Sequence, residues 1–110
     1  MAGWYELDKS SNGQYRFVLK AGNGEVILNS ELYTTKNAAE NGIKSVQTNS
    51  PLAERYELKD ASNGKFYFNL RAANHQVIGT SQMYTTRQSR ETGIASVKTN
   101  GSSTMIKDKT

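Results

Sequence analysis

Hydrophobic and polar side chains alternate most clearly in two short stretches of the chain. Residues 14–20, QYRFVLK, and residues 65–71, KFYFNLR, both place aromatic or aliphatic side chains at every second position. A period of two is typical of a strand with one buried face. We therefore predict that Phe66 and Phe68 belong to the core, because the opposite face of their strand is the more polar one.

Each of these strands is predicted to lie between two others, and a helix follows the third. The predicted strands are 4–8, 14–20 and 25–30, then 55–59, 65–71 and 76–81, and the predicted helices are 36–48 and 87–99. Asn23-Gly24 is a hairpin signal because both residues tolerate positive φ, and Asn74-His75 is a poorer version of the same turn. Gly42 and Gly93 lie inside the helices at a cost of about 1 kcal/mol each relative to alanine, which predicts close packing against the sheet.

The order of elements occurs twice because the chain repeats itself after a shift of 51 residues. Residues 5–50 align with residues 56–101 without a gap, and half of the aligned positions are identical. A unit of this size buries only a marginal core alone, so the two copies are expected to share one. We predict one domain, 1–110, with repeat one at 4–50, repeat two at 55–101 and a tail at 102–110. The expected fold is α+β, a single antiparallel sheet with two helices on one face and pseudo-two-fold symmetry.

Two local features bear on how the copies meet. The tail contains Met105-Ile106, which is compatible with an additional edge strand. Asp8-Lys9 in the first strand becomes Lys59-Asp60 in the second copy, the same charges in reverse order. One hypothesis is that the two first strands meet and pair these charges, although exposed pairs contribute only about 0–1 kcal/mol.

Composition excludes several classes of function. The chain has no cysteine, so disulfides, thiol catalysis and zinc–thiolate sites are excluded, and no apolar run has the length of a membrane span. The net charge is +4 with a pI of about 9.4, which is only weak evidence for nucleic-acid binding. We expect a cytoplasmic monomer that needs no cofactor.

Two blocks carry a resemblance to a known family: SNGKFYFNLRAANHQVIGTSQMYTT at 62–86 and ETGIASVKTN at 91–100, with their counterparts in the first copy. The arrangement resembles the YegP-like family of small bacterial proteins, a group of uncharacterised function. The resemblance covers nearly the whole chain. It implies tandem β-β-β-α units, each with a further strand, in one sheet whose terminal strands are exchanged between units. It implies no activity and supplies no catalytic residues.

An enzyme is not expected. The one histidine, His75, falls at a predicted hairpin tip, where an exposed turn residue is the simpler explanation. No phosphate-binding loop of the Walker type and no metal-ligand spacing occurs in the sequence. We therefore predict no catalytic, cofactor-binding or metal site.

Three kinds of binding remain open, and the favoured one is a protein-interaction module that binds through its surface, either by adding a strand at an exposed sheet edge or by apolar docking. The alternative is a weak single-stranded nucleic-acid binder that uses Arg16, Lys20, Tyr67 and Arg71 on the open sheet face, if the second strands lie near each other. The partner, whether protein or nucleic acid, is not identified by the sequence.

The third possibility is a small-anion site at the helix N-termini. The candidate residues are Thr34, Thr35, Thr85 and Thr86, which follow the tyrosine of each repeated Tyr-Thr-Thr block. Anions are favoured there by the unpaired N–H groups and the helix dipole. The simpler alternative is that the threonines cap the helices while the tyrosines fix the loops to the core.

Overall fold

In the computed structural model, which describes residues 3–110, the chain forms one sheet of seven strands with two helices on one face. In chain order these are β1 (Trp4–Lys9), β2 (Tyr15–Lys20), β3 (Val26–Asn29), α1 (Lys36–Asn49), β4 (Tyr56–Asp60), β5 (Phe66–Arg71), β6 (Val77–Thr80), α2 (Arg87–Asn100) and β7 (Ile106–Asp108). A short 3₁₀ turn, Ala53–Arg55, precedes β4. Residues 1 and 2, which the sequence assigned to the same domain, lie outside the described residues.

The strand order across the sheet is β4-β5-β6-β3-β2-β1-β7. The predicted α+β class is confirmed, and so is the strand in the tail. The expectation of a purely antiparallel sheet is wrong at one position, because β7 runs parallel to β1. The chain passes from β6 through α2 to the far edge of the sheet, where β7 pairs with β1. Parallel strands need a long connection of this kind. The last strand of repeat two thus pairs with repeat one, as the family resemblance implied. The implied further strand of repeat one is wrong for residues 3–110, because a 3₁₀ turn and then β4 follow α1, so strands are not exchanged in both directions.

The two repeats meet at β3 and β6, where Asn29 pairs with Thr80. We call this β3–β6 pair the central seam. The hypothesis that the first strands meet and pair Asp8-Lys9 with Lys59-Asp60 is therefore wrong, because β1 and β4 lie near opposite ends of the sheet. Within each repeat the second strand pairs with both others, so the first and third strands each keep one free side, and the third strands are the ones that join the repeats.

One hydrophobic core lies between the sheet and the helices. Its strand members include alternate residues of β1, β2 and β5, and its helix members come from both helices: Tyr5, Leu7, Phe17, Leu19, Ile27, Leu28, Ala39, Ile43, Val46, Phe68, Leu70, Ile78, Ile94 and Val97. The period of two in the sequence therefore identified the buried face. Phe68 is fully buried as predicted, whereas Phe66 is only partly buried.

The helix glycines allow the helices to approach the sheet, as predicted. A Cβ atom on Gly42 would lie 2.9 Å from Tyr33 Cζ, and one on Gly93 would overlap the hydroxyl of Tyr84. Each tyrosine ring stacks in turn on a core phenylalanine, with ring centroids 6.2 Å apart in repeat one and 6.5 Å apart in repeat two. The repeated Tyr and Gly are therefore two halves of one packing contact.

The helix C-termini are held by tyrosines across the repeats. The Tyr5 hydroxyl donates to the Gly101 carbonyl at 2.6 Å, and the Tyr56 hydroxyl donates to the Ser50 carbonyl at 2.7 Å. Burial raises the pKa of both tyrosines well above the ordinary value. Because the two contacts occupy equivalent positions, they explain why this tyrosine occurs in both copies.

His75 occupies a backbone conformation that its side chain disfavours. Its φ is +72°, and Gly24 at the equivalent hairpin position has φ +85°. We expect His75→Gly to raise the free energy of unfolding by about 0.5–1 kcal/mol, since relief of the left-handed strain exceeds the added entropy of the unfolded chain. Urea denaturation would measure the change. His75→Asn is the control with a smaller gain, and a loss of stability in the glycine variant would contradict the expectation.

Candidate functional site

The threonines proposed for an anion site cap the helices. Thr35 Oγ1 accepts from the Ala38 amide at 3.1 Å, and Thr86 Oγ1 accepts from the Ser89 amide at 3.0 Å. Thr34 and Thr85 are exposed beside them. The hydroxyls of Thr35 and Thr86 therefore already perform the capping role that the simpler alternative gave them. The anion site remains a prediction, and capping by itself accounts for the second threonine of each block.

The residues proposed for nucleic-acid binding lie in two separate groups. Arg16 and Lys20 are on β2, Tyr67 and Arg71 are on β5, and both β3 and β6 lie between those strands. The condition that the second strands lie near each other is therefore wrong. It failed because the third strands, rather than the second, join the repeats.

Two of the four proposed residues are already paired with carboxylates. Lys20 Nζ lies 3.2 Å from Glu6 Oε2, and Arg71 Nη2 donates to both oxygens of Glu57 at 2.8 Å. The hydrogen bonds from Arg71 and Asn69 hold the pKa of Glu57 below its usual value. Much of the positive charge expected on the open face is thus neutralised locally.

The two ends of the sheet differ in a way that the sequence reasoning missed. The outer edge of β1 is covered by β7, whereas β4 has no strand beyond it within residues 3–110. The difference shows in two leucines at equivalent positions: Leu7 is 1% exposed and Leu58 is 51% exposed. The only signal in the sequence was that two repeats share a single tail strand.

Main-chain hydrogen bonds attach β7 to β1. The Tyr5 amide donates to the Met105 carbonyl at 2.9 Å, and the Lys109 amide donates to the Leu7 carbonyl at 2.8 Å. Since the N–H and C=O groups of one strand residue point to the same side, Tyr5 and Leu7 present theirs to β7.

Three side-chain contacts complete the attachment of β7. On the helix face, Lys36 Nζ of α1 lies 2.6 Å from Asp108 Oδ2. On the open face, Lys109 Nζ lies 2.8 Å from Glu6 Oε1, and Lys107 Nζ lies 4.5 Å from the centre of the Trp4 ring. β7 therefore presents an acidic residue on the helix face and basic residues on the open face.

Acid should release β7, because its ion pairs depend on two ionised carboxylates. The bond from Lys109, followed by that from Trp4, lowers the pKa of Glu6 from 4.5 to about 2, and the bond from Lys36 lowers the pKa of Asp108 from 3.8 to about 2. Both folded pKa values lie below the unfolded ones, so this stabilisation is complete above about pH 4.5 and is lost as the pH falls towards 2.

Hydrogen exchange followed by NMR would test this acid release. We expect the amide of Lys109 to lose protection over this pH range before the amide of Phe68, which lies in the core strand β5. Equal protection of both amides down to pH 2.5 would contradict the expectation.

The outer edge of β4 presents free main-chain groups. Leu58 pairs with Phe68 as Leu7 pairs with Phe17, so the N–H and C=O groups of Leu58 point away from β5, as those of Leu7 point to β7. The Tyr56 N–H is already used, because it donates to the Ala53 carbonyl in the 3₁₀ turn. A strand added here would therefore pair mainly with the Tyr56 carbonyl and with Leu58.

Arg90 supports β4 from the helix side. It replaces Ala39 of repeat one, and its side chain is 6% exposed. Nη1 donates to the Lys59 carbonyl at 2.9 Å and to Asp60 Oδ1 at 3.0 Å, and the guanidinium lies 5.3 Å from the centre of the Phe66 ring. The open edge is thus held in strand geometry by its own repeat, without a neighbour on the outside.

A cleft of about 400 Å³ lies between the β2–β3 hairpin and α2, lined by Ala21, Asn23, Glu25, Ile27, Tyr84, Ser89, Thr92, Gly93 and Ser96. Burial, with a smaller contribution from Glu25, raises the pKa of Tyr84 in its wall. In the described part of the chain, no group of three acidic or histidine side chains is arranged to hold a metal ion. Neither helix within residues 3–110 is long and apolar enough to span a membrane.

Known proteins match both the sequence and the fold. A family model described as "Domain of unknown function (DUF1508)" matches residues 10–57 and 61–108. The UPF0339 protein YegP of Escherichia coli K12 is 74% identical over 110 residues, covering 100% of both chains. A UPF0339 protein of Shewanella oneidensis is 66% identical over 110 residues, again covering 100% of both.

Solved structures agree with this assignment. The solution NMR structure of the E. coli protein of unknown function yegP superposes with a TM-score of 0.94 at 73% identity, covering 99% of this chain and 94% of that chain. The NMR structure of a UPF0339 protein from Shewanella oneidensis gives a TM-score of 0.93 at 67% identity, with 98% and 92% coverage. With one family match on each repeat and full-length relatives at this identity, the chain belongs to the DUF1508 family of unknown function, which its UPF0339 relatives share.

Proposed function

We propose that this protein is a non-enzymatic interaction module that binds an extended protein segment along the outer edge of β4. The observation that carries the proposal is the difference between equivalent edges: β1 has a strand beside it, and β4 offers the equivalent main-chain groups unpaired, except for the Tyr56 N–H. An unpaired edge is a template for strand addition, which is a common mode of peptide recognition.

The repeated residues support placing function at the edge. The blocks that are identical in the two copies are used for packing and capping, through Tyr33 and Tyr84, the helix glycines and the N-cap threonines. Residues that two copies share for folding carry no information about a partner. The β4 edge is a feature that the second repeat has and the first repeat lacks.

Nucleic-acid binding receives less support from the geometry. Lys20 and Arg71 are engaged by Glu6 and Glu57, while Arg16 is exposed on its own strand. A surface for single-stranded nucleic acid combines a continuous basic groove with aromatic stacking, and the two groups here are separated by two strands. This alternative stays a prediction, for which an oligonucleotide titration at low and physiological salt is the test.

The edge proposal can be tested with Leu58→Pro. Proline removes the outward N–H of residue 58 and leaves the β4–β5 hydrogen bonds in place, since those use the neighbouring residues. Random peptides displayed on phage would be selected against the wild-type protein, and their affinities would then be measured for the wild type and for Leu58→Pro. We expect selected peptides to lose about tenfold or more in affinity for Leu58→Pro, equivalent to about 1.4 kcal/mol.

Leu58→Val is the matched control, because it keeps the N–H and introduces a β-branched apolar side chain suited to a strand. Its affinity should stay within about threefold of wild type. Retained protection of the Tyr67 amide in the proline variant would show that β4 still pairs with β5. Selected peptides that bind both variants equally would place the binding surface elsewhere and overturn the proposal.

A further inference from the structure

The contacts that hold β7 have counterparts around the empty β4 edge. Shifting by one repeat converts Lys36, Glu6 and Gln47 into Arg87, Glu57 and Lys98. The first two hold Asp108 and Lys109, and Gln47 Nε2 donates to the Ser103 carbonyl at 2.9 Å in the loop that leads into β7. In every case the chemistry is retained: a cation, a carboxylate and a nitrogen donor.

The two basic counterparts, Arg87 and Lys98, form no ion pair within residues 3–110. Arg87 is exposed, and its guanidinium lies 5.4 Å from the centre of the Phe66 ring. Lys98 Nζ lies 5.7 Å from the centre of the Tyr56 ring, in the strand that would receive the partner. Glu57 is bound by Arg71 and Asn69 and also lies 3.7 Å from Lys59 Nζ, so a basic side chain of a partner would take the place of Lys59.

The helix face above β4 is also more basic than the face above β1. At the three positions concerned, α1 carries Lys36, Ala39 and Gln47, whereas α2 carries Arg87, Arg90 and Lys98. Asp60 pairs with Arg90, so two cations remain for a partner. Complementary charge sets the register and the choice of partner more than it sets raw affinity.

Resting on the proposed function, we infer that β4 binds a partner segment parallel to itself, with an apolar residue opposite Tyr56, an acidic residue opposite Leu58 and a basic residue next. This order is the one that β7 presents to β1, where Ile106 lies opposite Tyr5 and Asp108 opposite Leu7. The acidic side chain meets Arg87 on the helix face. The basic side chain meets Glu57 on the open face, where it displaces Lys59, whose Nζ lies 3.7 Å from Glu57 Oε2.

A second copy of this chain is the competing occupant. Two β4 strands paired antiparallel about Leu58 would match Glu57 with Lys59 of the other copy, which is favourable. However, Arg87 occupies the place from which Lys36 reaches the residue opposite Leu7, so the pairing would bring two Arg87 side chains towards the same point. Like charges there disfavour the symmetric pair, whereas an acidic residue of a partner satisfies Arg87.

The test uses the full chain with a free peptide of sequence STMIKDKT, identical to residues 103–110, followed by amide NMR. A control peptide carries Asp108→Lys and Lys109→Glu. We expect STMIKDKT to shift the amides of β4 and to bind about tenfold more tightly than the control, equivalent to about 1.4 kcal/mol. In the Arg87→Glu protein the preference should shrink or reverse, and in Arg87→Lys it should persist.

A nitroxide on the peptide N-terminus reports polarity. A parallel strand brings the label to the Arg55 end of β4, and an antiparallel strand brings it to the Asp60 end. Broadening at Asp60, or equal affinity for the two peptides, overturns the inference while leaving strand addition at β4 intact. Peptide shifts confined to β1, which would indicate exchange with β7, overturn it as well.

Two further outcomes separate the inference from the function on which it rests. If neither peptide shifts β4 at about 5 mM while phage-selected peptides do, the inferred partner chemistry is wrong and the proposed function stands. If no peptide of either origin binds β4, both fail. Shifts at β4 that grow with protein concentration in the absence of peptide identify the occupant as a second copy and overturn the inference.

Discussion

Exchanging Leu28 and Gly79 across the central seam should cost less stability than the two single changes added together. These two residues occupy the same position in the two repeats, yet Leu28 is 1% exposed and a Cβ atom on Gly79 would lie 2.6 Å from its Cδ2. There is room for one leucine at the seam and none for two. The repeats are therefore complementary here rather than identical.

The single changes should be among the most destabilising in the protein. Leu28→Gly removes a buried side chain and adds backbone entropy to the unfolded chain, which together lower the free energy of unfolding by about 3–6 kcal/mol. Gly79→Leu overpacks the same space and should cost about 1–3 kcal/mol or more. The double variant should lose less than the sum by about 0.5–3 kcal/mol, the range found for coupled neighbours.

Urea denaturation of the wild type, both single variants and the double variant would close this cycle. Ile27→Val is a control within the same strand, since it trims one methyl group and should cost about 0.5–1.5 kcal/mol. Strict additivity of the two seam changes would mean that Leu28 does not occupy the space of a residue 79 side chain.

Leu7→Ala should be far more damaging than Leu58→Ala, although the two leucines occupy equivalent positions in the repeats. Leu7 is buried in the core, so its truncation should lower the free energy of unfolding by about 2–5 kcal/mol. Leu58 lies on the uncovered edge with half of its side chain exposed, so its truncation should cost less than about 1 kcal/mol.

The same pair separates stability from binding. Leu58→Ala should weaken the capture of a peptide strand, because the strand would bury the exposed part of Leu58, while the melting curve hardly changes. Thermal unfolding together with the peptide titration would measure both quantities. Similar losses of stability at positions 7 and 58 would show that the β4 edge is covered in solution.

Local patterning and the repeat determined most of the fold. Alternating residues in β2 and β5 identified the buried face, because a pleated strand has a period of two. Gly42 and Gly93 indicated close packing, because glycine inside a helix otherwise only destabilises it. Thr35 and Thr86 were identifiable as N-caps because capping is a contact of a hydroxyl with an amide three residues away. Such contacts are local, so a sequence specifies them.

Strand neighbours and burial at the edges required the tertiary structure. The alternation in YEL is the same at Tyr5–Leu7 and at Tyr56–Leu58, so nothing local predicts that one leucine is buried and the other is not. For the same reason, Arg16 and Tyr67 could be placed on strands but not in relation to each other. Pairing between strands depends on long connections, whose paths local residue preferences do not specify.

The sequence by itself predicted that two copies of one β-β-β-α unit share a core, because a unit of about 50 residues buries only a marginal core alone. Only the tertiary structure decided that the third strands form the seam and that the single tail strand covers β1. The outer edges of β1 and β4 are equivalent in the two repeats, but the chain has one tail strand. β7 lies beside β1, where Lys36, Glu6 and Gln47 hold it. That choice leaves β4 open.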